Sequence, residues 1–144
     1  MSGEVKLSSV SERLAARPSS SCYVCGRENP RGLHLFFELG ERGEMSATWI
    51  PDSTLEGFEG IVHGGIVSTV LDESMAKTVA ATGAEALTAE LRVRFRHHAI
   101  AGNPLRVCGW VTERSKRVIR AEATLVDSAS TELAHGWSSF LVLK

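Results

Sequence analysis

No stretch of the chain approaches the roughly 20 apolar residues that a helix needs to cross a bilayer, so no transmembrane segment is expected. The N-terminus also lacks the basic start and apolar core of a secretory signal, which points to a cytoplasmic protein. Cysteine is scarce: Cys22, Cys25 and Cys108 make an odd count, which argues against a disulfide framework and for reduced thiols. An excess of either charge is missing too. With 16 basic against 17 acidic side chains the net charge is −1, so no overall field recruits nucleic acid or an anionic membrane, and neither is expected as a partner. Any polyanion must be met locally. The four prolines, Pro18, Pro30, Pro51 and Pro104, all fall at boundaries between candidate elements. No internal repeat and no low-complexity tract is present.

What is present fits one ordinary globular domain. A chain of 144 residues can bury roughly two thirds of its unfolded surface in a single core. Hydrophobic residues at 43% and charged residues at 23% lie near the averages for soluble domains. Residues 1–21, rich in Ser, Arg and small side chains, read as a loosely held arm, with a short helix around Ser11 to Arg17 ending before Pro18. Residues 22–144 read as the domain.

Alternating apolar and β-branched or aromatic positions predict strands over Leu33 to Leu39 and Gly43 to Ile50, joined by the turn Gly40-Glu41-Arg42-Gly43. Between Gly65 and Gly83 there is neither glycine nor proline. Ile66, Val67, Val70, Leu71, Met75 and Val79 recur at helical spacing there, predicting one long helix over Gly64 to Gly83. Apolar residues cover most of its circumference, so burial is expected all round. Four further strands are predicted over Ala86 to His98, Leu105 to Glu113, Arg117 to Asp127 and Glu132 to Leu143, separated by turn-forming residues. The order β-β-α-β-β-β-β, with short connections after a single helix, predicts an α+β fold: a curved antiparallel sheet of about six strands wrapped round one long central helix.

Chemistry concentrates in Ile61 to Asp72, IVHGGIVSTVLD. His63-Gly64-Gly65 stands where the helix begins. A first turn leaves backbone N–H groups without partners, and glycine lets a ligand oxygen come close to them. With the helix dipole, such a turn suits a developing negative charge, an effect worth on the order of 3 kcal/mol per donor. Asp72, two turns beyond Gly65, shares a row with Ser68, Met75 and Val79 on an otherwise apolar helix, so its carboxylate is either paired or functional.

The segment, with its His63-to-Asp72 spacing of nine, resembles the HGG motif and acidic residue of the PaaI-like acyl-CoA thioesterases of the hotdog superfamily. Cys22 to Leu35, CYVCGRENPRGLHL, is similar to an opening segment common among members of that group, so the resemblance spans roughly Cys22 to Leu143. It implies a hotdog fold and hydrolysis of an acyl-CoA. Asp72 is then the catalytic carboxylate, as general base on water or as nucleophile on the thioester carbonyl. Gly64 supplies the N–H that polarises that carbonyl, His63 shapes the turn, and Thr88 carries a hydroxyl that helps to position water. Gly65 and Ser68 fall with the substrate. Where relatives carry Asn or Gln six or seven residues before the histidine, this chain has Gly57 and Glu56. Glu56 either enters the site as a second carboxylate or faces solvent. Coenzyme A is part of the substrate, and no separate cofactor is expected.

Distance adds assembly to the expectation. Eight residues of helix separate Gly64 from Asp72 by about 12 Å along the axis, too far for both to act on one carbonyl. A homodimer, in which Gly64 of one chain faces Asp72 of the other, solves this, and a dimer of dimers extends it.

Other groups carry weaker signals. Arg92, Arg94 and Arg96 share one face of a strand, by default a solvated or interface face, yet the phosphates of coenzyme A need local cations. Arg94, His97, His98, Lys116 and Arg117 are all candidates for that contact. Cys22 and Cys25 form a CxxC, in isolation half a zinc site or a redox pair. No second CxxC or paired histidines complete it, so a structural role is read and no metal is expected. Glu73, about 100° round the helix from Asp72, reads as paired or solvated. Trp49, Trp110 and Trp137 read as packing residues. Two rival functions keep the fold: an acyl-CoA binding or sensing module, and an enoyl-CoA hydratase. The acyl group is not legible in the sequence.

Overall fold

The computed structural model describes residues 20–143, so the arm and the helix expected near Ser11 to Arg17 lie almost wholly outside the described residues. Six strands and one α-helix make up the described chain: β1 (Glu38–Leu39), β2 (Met45–Trp49), a 3-10 turn (Ser53–Leu55), α1 (Gly64–Ala80), β3 (Ala86–Phe95), β4 (Leu105–Arg114), β5 (Val118–Asp127) and β6 (Glu132–Val142). They form one antiparallel sheet in the order β1-β2-β4-β5-β6-β3, so β3 leaves the helix and crosses to the far edge. This is the hotdog arrangement expected from the sequence. No helix among the described residues is long and apolar enough to cross a membrane.

The first predicted strand is shortened. Only Glu38 and Leu39 pair with β2, opposite Ser46 and Met45. The residues before them spend their hydrogen bonds elsewhere: Leu33 N–H donates to Tyr23 O and Leu35 N–H to Val24 O, both at 2.8 Å. His34, at φ 55, breaks the extended run between them.

The burial expected all round the helix is also corrected. Val67, Val70, Leu71, Ser74, Met75, Thr78 and Val79 are buried, whereas Ser68, Thr69, Asp72, Glu73, Ala76 and Lys77 are only half-covered. One face packs on the sheet and the other stays open. The packed face lies unusually close, because two strand glycines leave room for it. A Cβ on Gly136 would come within 3.1 Å of Met75, and one on Gly109 within 2.6 Å of Ser74 Oγ and 2.8 Å of the Ser74 backbone. The two buried hydroxyls of the helix are both satisfied by the β1–β2 hairpin: Ser74 donates to Met45 O at 3.0 Å and Thr78 to Gly43 O. Gly109→Ala therefore cannot be absorbed by a flexible side chain. It is expected to destabilise the fold by about 1–3 kcal/mol, read as a lowered urea midpoint. An unchanged midpoint would show that the helix has slack over β4.

A single extra residue interrupts β3. Thr88 pairs with Phe140, but Glu90 pairs with Ser139, so Ala89 has no partner of its own. Thr88 consequently shares the helix-facing side with buried Phe140. Beyond the bulge Leu91, Val93 and Phe95 continue that side opposite Ser138, Gly136 and Ala134, while Glu90, Arg92 and Arg94 face away. The convex side carries Arg92 stacked 4.5 Å over the Trp137 ring and His135 between Glu122 and Glu132.

Candidate active site

His63, at φ −56 and ψ 134, ends the preceding loop and caps α1, its Nδ1 accepting the Gly65 N–H at 2.9 Å. The N–H groups of Ile66 and Val67 both reach His63 O, at 2.9 and 3.1 Å. Of the four first-turn amides, only that of Gly64 has no acceptor among the described residues. Gly65, placed with the substrate by the sequence, thus has its own amide committed to the cap.

The loop before the cap is itself held. His63 N–H donates to Leu55 O at 2.8 Å, and Glu56 bridges Val62, which sets half-buried Glu56 beside the turn. Gly64 stands at a cleft of about 240 Å³ whose apolar wall includes Val67, Phe95 and Leu133 and whose exposed residues include Arg96, His97 and His98. A Cβ added at 64 would touch the Phe95 ring at 3.4 Å, an ordinary contact.

Asp72 does not line this cleft. It sits half-buried on the open face of α1, where Thr88 Oγ1 donates to its Oδ1 at 2.8 Å. Burial pushes the Asp72 carboxyl above its usual value near 3.8, and the Thr88 hydrogen bond partly opposes that rise. The Ser68 hydroxyl donates back to Gly64 O at 2.9 Å, steadying the first turn.

The candidates for the phosphates fall in different places. His98 is at the Gly64 cleft, joined by Arg96, for which a solvated or interface face is the default expectation and which is ion-paired to Glu132 at 2.9 Å. Arg94 is on the convex side, opposite His135. Lys116 and Arg117 occupy the β4–β5 turn, where Arg117 O accepts from Val142 N–H, next to the Ala86 end of β3. Phe95, at the other end, marks the Gly64 cleft. One chain therefore carries two separated groups: Gly64 with His98 near Phe95, and Asp72 with Thr88 nearer Ala86.

A first-turn amide without an acceptor among the described residues and a half-buried acid on the same helix, inside a hotdog sheet, make up the candidate site. The sequence model of the thioesterase superfamily matches residues 59–134, and the chain belongs to that superfamily. Comparison with curated protein sequences gave no match. Among solved structures, a thioesterase superfamily protein superposes with a TM-score of 0.82 at 20% identity, covering 98% of this chain and 85% of that one. The Escherichia coli PaaI protein of the phenylacetic acid degradation operon gives 0.75 at 13% identity, with 96% and 94% covered. A hypothetical thioesterase of Streptococcus pneumoniae with coenzyme A gives 0.71 at 14%, with 75% and 84% covered. Variants of that protein with an aspartate or a threonine changed to alanine have also been solved. The hotdog thioesterase resemblance read from IVHGGIVSTVLD therefore stands.

Proposed function

We propose that the protein hydrolyses an acyl-CoA thioester in a site shared by two chains. The observation that carries this is the free Gly64 N–H at the start of the same helix that holds Asp72 against Thr88. Water attacks the carbonyl carbon as Asp72 takes its proton, or Asp72 attacks directly. In either case the oxyanion rests on the Gly64 N–H, and the C–S bond breaks to release the CoA thiolate. Thr88 orients the carboxylate. The residue types replaced in the Streptococcus pneumoniae variants, an aspartate and a threonine, are the two that are hydrogen-bonded here.

The open edge of β3 supports the dimer. One side of the strand pairs with β6, and the other side has no partner strand among the described residues. Leu87, Leu91 and Phe95 stay 45%, 37% and 54% exposed along it. An uncovered apolar edge strand is a template for pairing. Two β3 strands paired antiparallel about a two-fold axis bring the Phe95 end of one chain beside the Ala86 end of the other, and so Gly64 towards the partner's Asp72. His98 and Arg96 from one chain, with Lys116 and Arg117 from the other, are then the hydrogen-bond donors available to the CoA phosphates.

The test is thiol release from a panel of short-chain, medium-chain and aryl acyl-CoAs. Turnover of at least one is expected. Tight binding without turnover would make the protein a binding module, and water addition to an enoyl-CoA without thiol release would make it a hydratase.

A further inference from the structure

The CxxC finds a third ligand across the fold. Cys22 Sγ lies 3.3 Å from Glu73 Oε2 and Cys25 Sγ 3.9 Å from Glu73 Oε1, and one ligand atom from each residue falls within 4.8 Å of the other two. Glu73 comes from α1, 48 and 51 residues further along the chain. From these residues we infer a zinc site: two thiolates and one carboxylate, with a fourth position open to water.

The scaffold is of the kind a metal site needs. The CYVCG segment is a closed turn, in which Gly26 N–H donates to Cys22 O at 2.9 Å. It demands glycine, since a Cβ at position 26 would lie 2.3 Å from Cys22 N and 2.5 Å from Ser20 O. Buried Val24 and the two hydrogen bonds from Leu33 and Leu35 fix the turn to the following segment, and Glu73 stands on a rigid helix. All three ligand residues are half-buried, which leaves access for an ion.

Ligand chemistry selects the metal. Thiolates favour zinc over magnesium or calcium, and a tetrahedral ion accepts three protein ligands plus water. Binding replaces two S–H protons by two Zn–S bonds and releases both protons to solvent. Zinc with two thiolates and a carboxylate carries a net charge of −1. Lys77, one turn after Glu73, borders the same hollow as Cys25 and acts on it electrostatically, so its ammonium balances that charge. His34 is not part of the set, since the ligand atoms that gather within 4.8 Å of one another come from Cys22, Cys25 and Glu73. The ion would fasten the N-terminal segment to α1 one residue from Asp72, and it has no part in the thioester chemistry.

Cobalt(II) reports such a site directly in full-length protein kept reduced with a phosphine. The expected result is one equivalent of cobalt per chain, a thiolate-to-cobalt charge-transfer band, and its displacement by zinc. Cys22→Ser and Cys25→Ser should each lose most of the band. Glu73→Gln should keep the band but weaken zinc affinity by at least about tenfold, as for lost ligation. Zinc should also raise the thermal midpoint of the parent protein and leave that of Cys25→Ser unmoved. Absence of a charge-transfer band in the folded, reduced protein would overturn the proposal, and so would parent-like zinc affinity in Glu73→Gln.

Discussion

Asp72→Asn is expected to lower kcat for thioester hydrolysis by about 10²–10⁴-fold while leaving KM within a few fold, because the amide keeps the shape and the Thr88 contact but cannot take a proton or attack. The same change should raise the thermal midpoint at neutral pH. Folding raises the pKa of Asp72, so the folded chain holds this proton to higher pH than the unfolded one. The stability this gives is complete below the ordinary carboxylate value near 3.8 and is lost as pH climbs through the raised value. At neutral pH the half-buried carboxylate is thus a cost, which asparagine removes. Loss of rate with gain of stability separates a functional acid from a structural one. An asparagine variant that is both active and less stable would assign Asp72 to the scaffold.

A comparably large loss is expected when the Gly64 amide is deleted, and Gly64→Pro does this with little else. Position 64 opens the helix, where proline is tolerated because its missing N–H has no helical partner. His63, at ψ 134, is already out of the helical region that a following proline disfavours. The new Cβ would meet the Phe95 ring at 3.4 Å, an ordinary contact distance. Removing one oxyanion donor costs about 10²–10³ in kcat. Combining the two variants tests the shared site. In a mixed dimer of Asp72→Asn and Gly64→Pro chains, purified through two different tags, one site carries both defects and the other carries neither. About half of the parent activity should return. If Gly64 and Asp72 of one chain serve the same carbonyl, the mixed dimer holds no intact site and stays as inactive as its parents.

Much of this was legible in the sequence because it is local. Helical spacing, glycine turns and strand alternation located α1, β2, β3, β4, β5 and β6 to within a few residues, and HGG with an acid two turns on carried the resemblance to the superfamily. What was not legible depends on contacts across the fold. Leu33 to Leu35 have strand-like composition, but Tyr23 and Val24 take their hydrogen bonds. Glu73 looked like an ordinary helix acid, since nothing near it in sequence shows that the CxxC turn folds onto it. Gly65 was placed with the substrate, but its amide is committed to His63, which leaves the Gly64 amide as the first-turn donor without an acceptor among the described residues. Arg96 and Arg94 looked alike, yet only Arg96 reaches the Gly64 cleft, because the strand ends at Phe95 and the chain turns, with the N–H groups of Arg96 and His97 both given to Leu133 O.

The unpaired Ala89 makes β3 a strand with two reading frames. Even-numbered Thr88 looks inward, yet even-numbered Glu90, Arg92 and Arg94 look outward, so the residue that steadies the acid and the residues that dress the convex surface are tuned independently along one strand. The strand is accordingly unequal in its tolerance of length change. Losing Ala89 straightens the ladder and keeps every neighbour on its own side. Losing any residue from Leu91 to Val93 exchanges the two sides downstream, turning arginine towards the helix and Phe95 outward.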